Sequence, residues 1–217
     1  MGDLMTGIWV TTALIAIIGF IPYGTWIVYT AVKKRWKKLG IQVAAPLIIY
    51  LMLISISPPV NKLGYKQYLK GLYGTNVNFE PPIFEYNSER AFNGDGYSIS
   101  VYELPRSIRA RFESADEKLF TEHPKRPSYR NHWKVEHWRE GPFEEEFKHY
   151  LNFALSAYGE SDGSELLKQF DAIRQAVMRK GTYYAFFYYA HGEHPGDIDL
   201  FIIDITNNRL YSINHNT

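Results

Sequence analysis

The chain of 217 residues predicts an α+β fold. A two-helix transmembrane hairpin comes first. A soluble domain follows, with a mainly antiparallel sheet of four or five strands and two or three packed helices. Three observations carry this. Two uncharged apolar stretches fall within residues 1–60, apolar residues recur at helical spacing between residues 104 and 177, and three β-rich segments follow from Thr182.

The first stretch, Ile8 to Val32, holds 25 residues without a charge, and the second, Ile41 to Val60, holds 20. At ~1.5 Å per residue, about 20 such residues cross a hydrocarbon core. Only Asp3 precedes the first stretch as a side-chain charge. A cleaved signal peptide, which starts with a basic region, is therefore not expected. Pro22 predicts a kink in the first span, and Pro58-Pro59 predicts the end of the second helix. Trp9, Trp26, Tyr29, Trp36 and Tyr50 lie toward the span ends, as interfacial aromatics do.

Between the spans stands KKRWKKLG, with Lys33, Lys34, Arg35, Lys37 and Lys38. Such a loop forces a tight hairpin, and the positive-inside rule places it in the cytoplasm. Residues 1–60 hold one acidic side chain against these five basic ones. Residues 61–217 hold 19 Lys/Arg and 22 Asp/Glu, a net charge of −3. A domain of that balance is a poor partner for nucleic acid, whose binding rests on phosphate neutralisation. The basic loop reads first as a topology determinant, with anionic-lipid contact as a by-product. The absence of cysteine excludes disulfide frameworks, thiol nucleophiles and zinc–cysteine sites. The expected division is a hairpin at 1–60 (spans about 8–32 and 41–58, loop 33–40), a juxtamembrane connector at 61–90 and a soluble domain at 91–217.

Asn93-Gly94 and Asp95-Gly96 are turn dipeptides, and Tyr97 to Leu104 alternates as a strand does. Pro105 can open a helix with Leu104, Ile108 and Phe112 on one face. Trp133, Val135 and His137 alternate with charged residues and predict a short strand. Pro142 opens a second helical pattern with Phe143, Phe147, Tyr150, Leu151, Ala154, Leu155 and Tyr158 on one face, closed by Gly159. Asp162 and Glu165 form a capping box for a third, whose core face is Leu166, Phe170, Ile173 and Val177. TYYAFFYYA is apolar on both faces, so it predicts a central strand covered on both sides. DIDLFIIDI and RLYSI follow, joined through Asn207-Asn208 as a two-residue hairpin turn.

Two clusters carry candidate chemistry. HGEHPGDIDL brings His191, Glu193, His194, Asp197 and Asp199 together, but Gly and Pro mark it as a strand connection and the H-E-x-x-H pattern is absent. The second cluster is Tyr129, His132, Trp133, His137 and Trp138, with His123 upstream. Tyr and Trp dominate binding hot spots. No metal, cofactor or catalytic set is assigned. The partner-binding candidates are Tyr129, His132, Trp133, His137, Trp138, His191 and His194.

The layout, a span hairpin carrying a small aromatic-rich domain, is similar to that of bacterial inner-membrane immunity and exclusion proteins, by architecture alone. It implies a membrane-anchored protein-binding domain on the extracytoplasmic side, with the bilayer and another protein as partners, and is compatible with an oligomer. The alternatives are an anchored metal-dependent hydrolase using His191, His194 and Asp197, and an accessory subunit of a transport or secretion complex.

Overall fold

The computed structural model describes residues 2–92, 95–114, 116–156, 164–192 and 194–217. The Asn93-Gly94 turn, Tyr158, Gly159, the Asp162 cap and Glu193 lie outside the described residues. The chain divides into two compact units, Met1–Gln67 and Tyr68–Thr217.

In the first unit, α1 (Gly2–Val32) and the greater part of α2 (Trp36–Tyr73) form an antiparallel hairpin. Trp9 Nε1 donates to Ser57 Oγ at 3.1 Å, the Trp9 and Tyr50 rings meet edge-on at 6.3 Å, and the Tyr23 hydroxyl donates to the Gln42 carbonyl. The turn closes through Arg35 N–H to Thr30 O at 3.1 Å, with Lys34 left-handed at φ 54°. Both helices are long and apolar enough to cross a membrane. Ile18, which a soluble protein would bury, is 77 % exposed, and Ile15, Phe20, Val43 and Leu47 are exposed too. This surface suits lipid rather than water.

One expectation fails in α2. The helix continues through Pro58 and Pro59 to Tyr73. An interior proline costs ~3 kcal/mol, but Leu69, Leu72 and Tyr73 beyond the pair are buried. Burial of each such side chain contributes ~1.5–3 kcal/mol, which outweighs the local breaker.

The second unit is built on one antiparallel sheet. Its strands are β1 (Phe84–Asn87), β2 (Gly96–Glu103), β3 (Lys134–Glu140), β4 (Thr182–His191), β5 (His194–Asp204) and β6 (Arg209–Asn216), in the spatial order β1-β2-β6-β5-β4-β3. Among the described residues, six strands replace the expected four or five. The unforeseen strand is β1, four residues within the stretch read as connector, held by the Phe84↔Val101 to Asn87↔Ser98 register.

Alternation splits the sheet into two apolar faces. One face sets Tyr184, Phe186, Ile198, Leu200, Ile202 and Ile213 against Leu151 and Ala154 of α5 (Lys148–Ala154) and Leu166, Phe170, Ile173 and Val177 of α6 (Ser164–Val177). The other sets Ala185, Phe187, Phe201, Ile203 and Leu210 against Leu69, Leu72 and Tyr73 of α2, Ile108 and Phe112 of α3 (Arg106–Glu113) and Leu119 of α4 (Glu117–Glu122). β4 is thus covered on both sides, and upstream segments supply the second cover.

Three local features differ from expectation. Pro142 does not open a helix. Glu144 stays extended at ψ 140°, gripped by Arg139 Nη1 at 2.7 Å to both carboxylate oxygens, and its N–H donates to the Tyr184 hydroxyl at 3.2 Å. The apolar face survives in a 3₁₀ turn, Glu145–Phe147, and the short α5. In β3 the register shifts between Glu136 and Arg139, so Trp138, not His137, joins Trp133 in the core. The β5–β6 turn holds four residues, 205–208, because Asp204 pairs with Arg209. Asp204, fully buried, accepts from Asn207 N–H at 3.0 Å and Asn207 Nδ2 at 2.7 Å, and Asn208 takes φ 55°.

Candidate functional site

A set of polar residues of the second unit gathers at one end of the sheet. The register places the β4–β5 hairpin (His191↔His194), the start of β5 and the finish of β6 (Asp197↔Asn216) together there. Asp197 and Asp199 alternate onto the face that also carries Phe201 and Ile203. Asn214 stands opposite Asp199, and its Nδ2 donates to Asp199 Oδ1 at 2.7 Å. Arg90 Nη2 donates to Asn214 Oδ1 at 2.7 Å.

Arg130 closes this network. It ends the 3₁₀ turn Ser128–Arg130 and forms an ion pair with Asp199, whose residue is 7 % exposed. Its guanidinium stacks on the Trp133 ring at 3.9 Å and lies 5.7 Å from the Tyr129 ring. Burial pulls the Arg130 guanidinium below its ordinary range, while the nearby Tyr129 and Tyr68 hydroxyls and Asp197 oppose the shift. Burial pushes the Asp197 carboxyl up, and His191, the Thr217 N–H and Arg130 draw it back. Removing two charges from water costs several kcal/mol per ion unless the partners compensate. Here the carboxylate, the aromatic face and the Asn214 amide supply that compensation.

Above this base lies an exposed aromatic rim. The His132 and Tyr189 rings meet edge-on at 5.2 Å, Tyr189 and His191 at 5.1 Å, and His132 and Trp133 at 6.5 Å. Tyr129 and Tyr189 are 57 % and 37 % exposed, and His132, His191 and His194 are exposed too. Gly196 leaves the space that the His191 ring fills, since a Cβ there would collide with it. Of the seven candidates from the sequence, five meet here: Tyr129, His132, Trp133, His191 and His194.

The other two lie away from this rim. Trp138 is buried, with its Nε1 donating to the Leu72 carbonyl at 2.8 Å. His137 Nδ1 bonds the His123 carbonyl at 2.9 Å, and His123 Nδ1 bonds the Gly71 carbonyl at 2.7 Å. A carbonyl only accepts, so both nitrogens carry a proton. The Trp138 bond to Leu72 O, the His123 bond to Gly71 O and Lys125 N–H to Gly71 O at 2.8 Å satisfy carbonyls of the last turn of α2.

Among the described residues, no three His, Asp or Glu side chains are grouped as a metal would require. An open cavity of ≈ 560 Å³ lies elsewhere, between Asn76, Asn78, Glu103 and Arg106 at the opposite end of β2, and none of the candidates lines it. The sequence reading missed Arg130, Arg90, Asn214 and Tyr189. Period-two alternation of Asp197, Asp199, Asn214 and Asn216 was the readable signal that polar residues share a face.

Comparison with family models, curated proteins and solved structures gave no match for this chain.

Proposed function

We propose that the chain is a membrane-anchored protein-binding domain, held by its two apolar helices in a bacterial-type inner membrane with residues 68–217 on the extracytoplasmic side. The observation that carries this reading is the rim: exposed Tyr129, His132, Tyr189, His191 and His194 on a base fixed by Arg130, Asp199 and Trp133. Large aromatics of few rotamers on a rigid base lose little entropy on contact, which is what hot spots share. The five positive charges of the hairpin turn support the orientation. An immunity or exclusion role fits an anchor that presents such a surface.

Crosslinking in membranes followed by pull-down is expected to recover a stoichiometric partner, and Tyr129→Ala with His132→Ala is expected to abolish it. A partner-free monomer, or recovery unaffected by the substitutions, would count against the reading. A reporter fused after Thr217 should be active outside the cytoplasm. Cytoplasmic activity would overturn the orientation.

A further inference from the structure

The open cavity at the far end of β2 has no part in the rim. One wall is the segment Asn76 to Glu80, where burial alternates. Val77 is buried and Phe79 packs on the second core, while Asn76, Asn78 and Glu80 are exposed and line the cavity. A period of two thus gives this wall three polar side chains over an apolar backing. The other wall is the corner between β2 and α3, which carries Glu103, Arg106 and Ser107 beside Leu104 and Pro105. That corner is held in place. The Leu104 N–H donates to the Asn208 carbonyl at 3.1 Å, Asn208 Nδ2 donates to Glu103 Oε1 at 3.0 Å, and Arg109 Nη2 donates to Asn208 Oδ1 at 3.0 Å. At ≈ 560 Å³ the space is of the size that small-molecule sites have.

The charges on the walls narrow the ligand. Two carboxylates and one guanidinium border the same space, yet among the described residues no ion pair joins Arg106 to Glu80 or Glu103. Among those residues the side chains of Asn76, Asn78, Glu80, Arg106 and Ser107 also have no hydrogen-bond partner. A simple anion would be repelled by the carboxylates and a simple cation by the guanidinium, whereas a molecule carrying both charges complements both walls. We infer that this cavity binds a small zwitterion with a free ammonium and a free carboxylate, an α-amino acid or a short peptide. The carboxylate lies on the Arg106 guanidinium and the Ser107 hydroxyl, the first of these a fork that matches its geometry. The ammonium lies between Glu80 and Glu103, and the amides of Asn76 and Asn78 take the remaining polar atoms. The site goes beyond the protein-binding reading and depends on neither the anchor nor the rim.

Isothermal titration of the full chain in nonionic micelles tests it, with L-alanine and L-alanyl-L-alanine as probes. Ethylamine and propionate, which each keep one of the two charges of alanine, are the controls. At least one zwitterion is expected to bind about tenfold or more tightly than either control. Binding of alanine assigns the site to free amino acids, and binding of the dipeptide alone assigns it to peptides. Arg106→Gln and Glu103→Gln are each expected to weaken that binding about tenfold. Lys168→Gln, an exposed charge on α6, should leave it unchanged. No heat from either zwitterion, or equal binding of a control, overturns the site, and the unaltered chain alone delivers that result. Zwitterion binding that survives both cavity substitutions overturns it as well.

Discussion

The indole of Trp138 donates its N–H to the carbonyl of Leu72 at 2.8 Å, tying the middle of an edge strand to the last turn of α2. Both residues are buried, and the Trp138 ring also packs against Tyr73 at 5.9 Å and edge-on to Phe112 at 4.9 Å. Helix carbonyls at a C-terminus lack partners of their own, so this bond replaces a missing one. Trp138→Phe leaves that carbonyl buried and unpaired and is expected to cost about 1–3 kcal/mol. Denaturant unfolding of the full chain in micelles, read by near-ultraviolet dichroism, measures it. Stability unchanged within error would show that the bond contributes nothing.

Arg130 and Asp199 should behave as a unit. Arg130→Met strands a buried carboxylate and Asp199→Asn strands a guanidinium, each at a cost of about 3–5 kcal/mol. The double substitution should cost less than the two singles together, since neither charge is then left alone. Strict additivity in this cycle would contradict the pairing.

His215 gives the second unit a pH dependence of defined sign. Burial lowers its pKa, while its Nδ1–H bond to the Phe153 carbonyl and the charge of Asp197 act the other way. An unfolded imidazole titrates near ~6.5. Below that pH the unfolded chain takes up a proton that the folded chain resists, so stability falls as pH drops from ~6.5 toward the lowered folded value. Asp197 has the reverse sign: its raised pKa means that stability is lost as pH rises through the folded value. Thermal midpoints across a pH series should show a flatter slope for His215→Gln near pH ~6. They should show a gain for Asp197→Asn at neutral pH. Curves parallel to that of the unaltered chain would refute both assignments.

Gly141 should not tolerate a side chain. A Cβ there would lie 2.5 Å from the Arg179 carbonyl oxygen and 2.9 Å from that of Val177, both backbone atoms that cannot swing aside. Gly141→Ala is expected to destabilise by about 1–3 kcal/mol through forced backbone shifts. An alanine variant with an unchanged unfolding midpoint would rule the clash out.

The elements legible in the sequence were those whose periodicity is strong and local. Leu104, Ile108 and Phe112 bury together as their spacing required, and β4 is buried on both faces as its aromatic run required. What stayed hidden depended on distant partners. β1 has only four residues and acquires its identity from β2. The β3 bulge exchanges His137 for Trp138 without any glycine or proline to announce it. Pro58 and Pro59 are read correctly as local breakers, yet burial further along α2 overrides them. At the site, the histidines and aromatics were visible as residue types, but the base beneath them was not. Arg130 and Asp199 meet only once the 3₁₀ turn and the sheet are assembled.

The order of strands also sets a timetable for assembly. β4, β5 and β6 are consecutive in the chain and adjacent in the sheet, joined by short turns, so the meander can close from local contacts alone. β2 has no such freedom. Its partner β6 is distant, as the Asn208 to Glu103 bond across 105 positions shows, so the strand waits with its edge unsatisfied until residues 209–216 have been synthesised. The apolar alternation of Tyr97, Ile99 and Val101 packs against α5 and α6, which follow it in the chain. The period of greatest aggregation risk is therefore built into the topology, and it ends when the final strand docks.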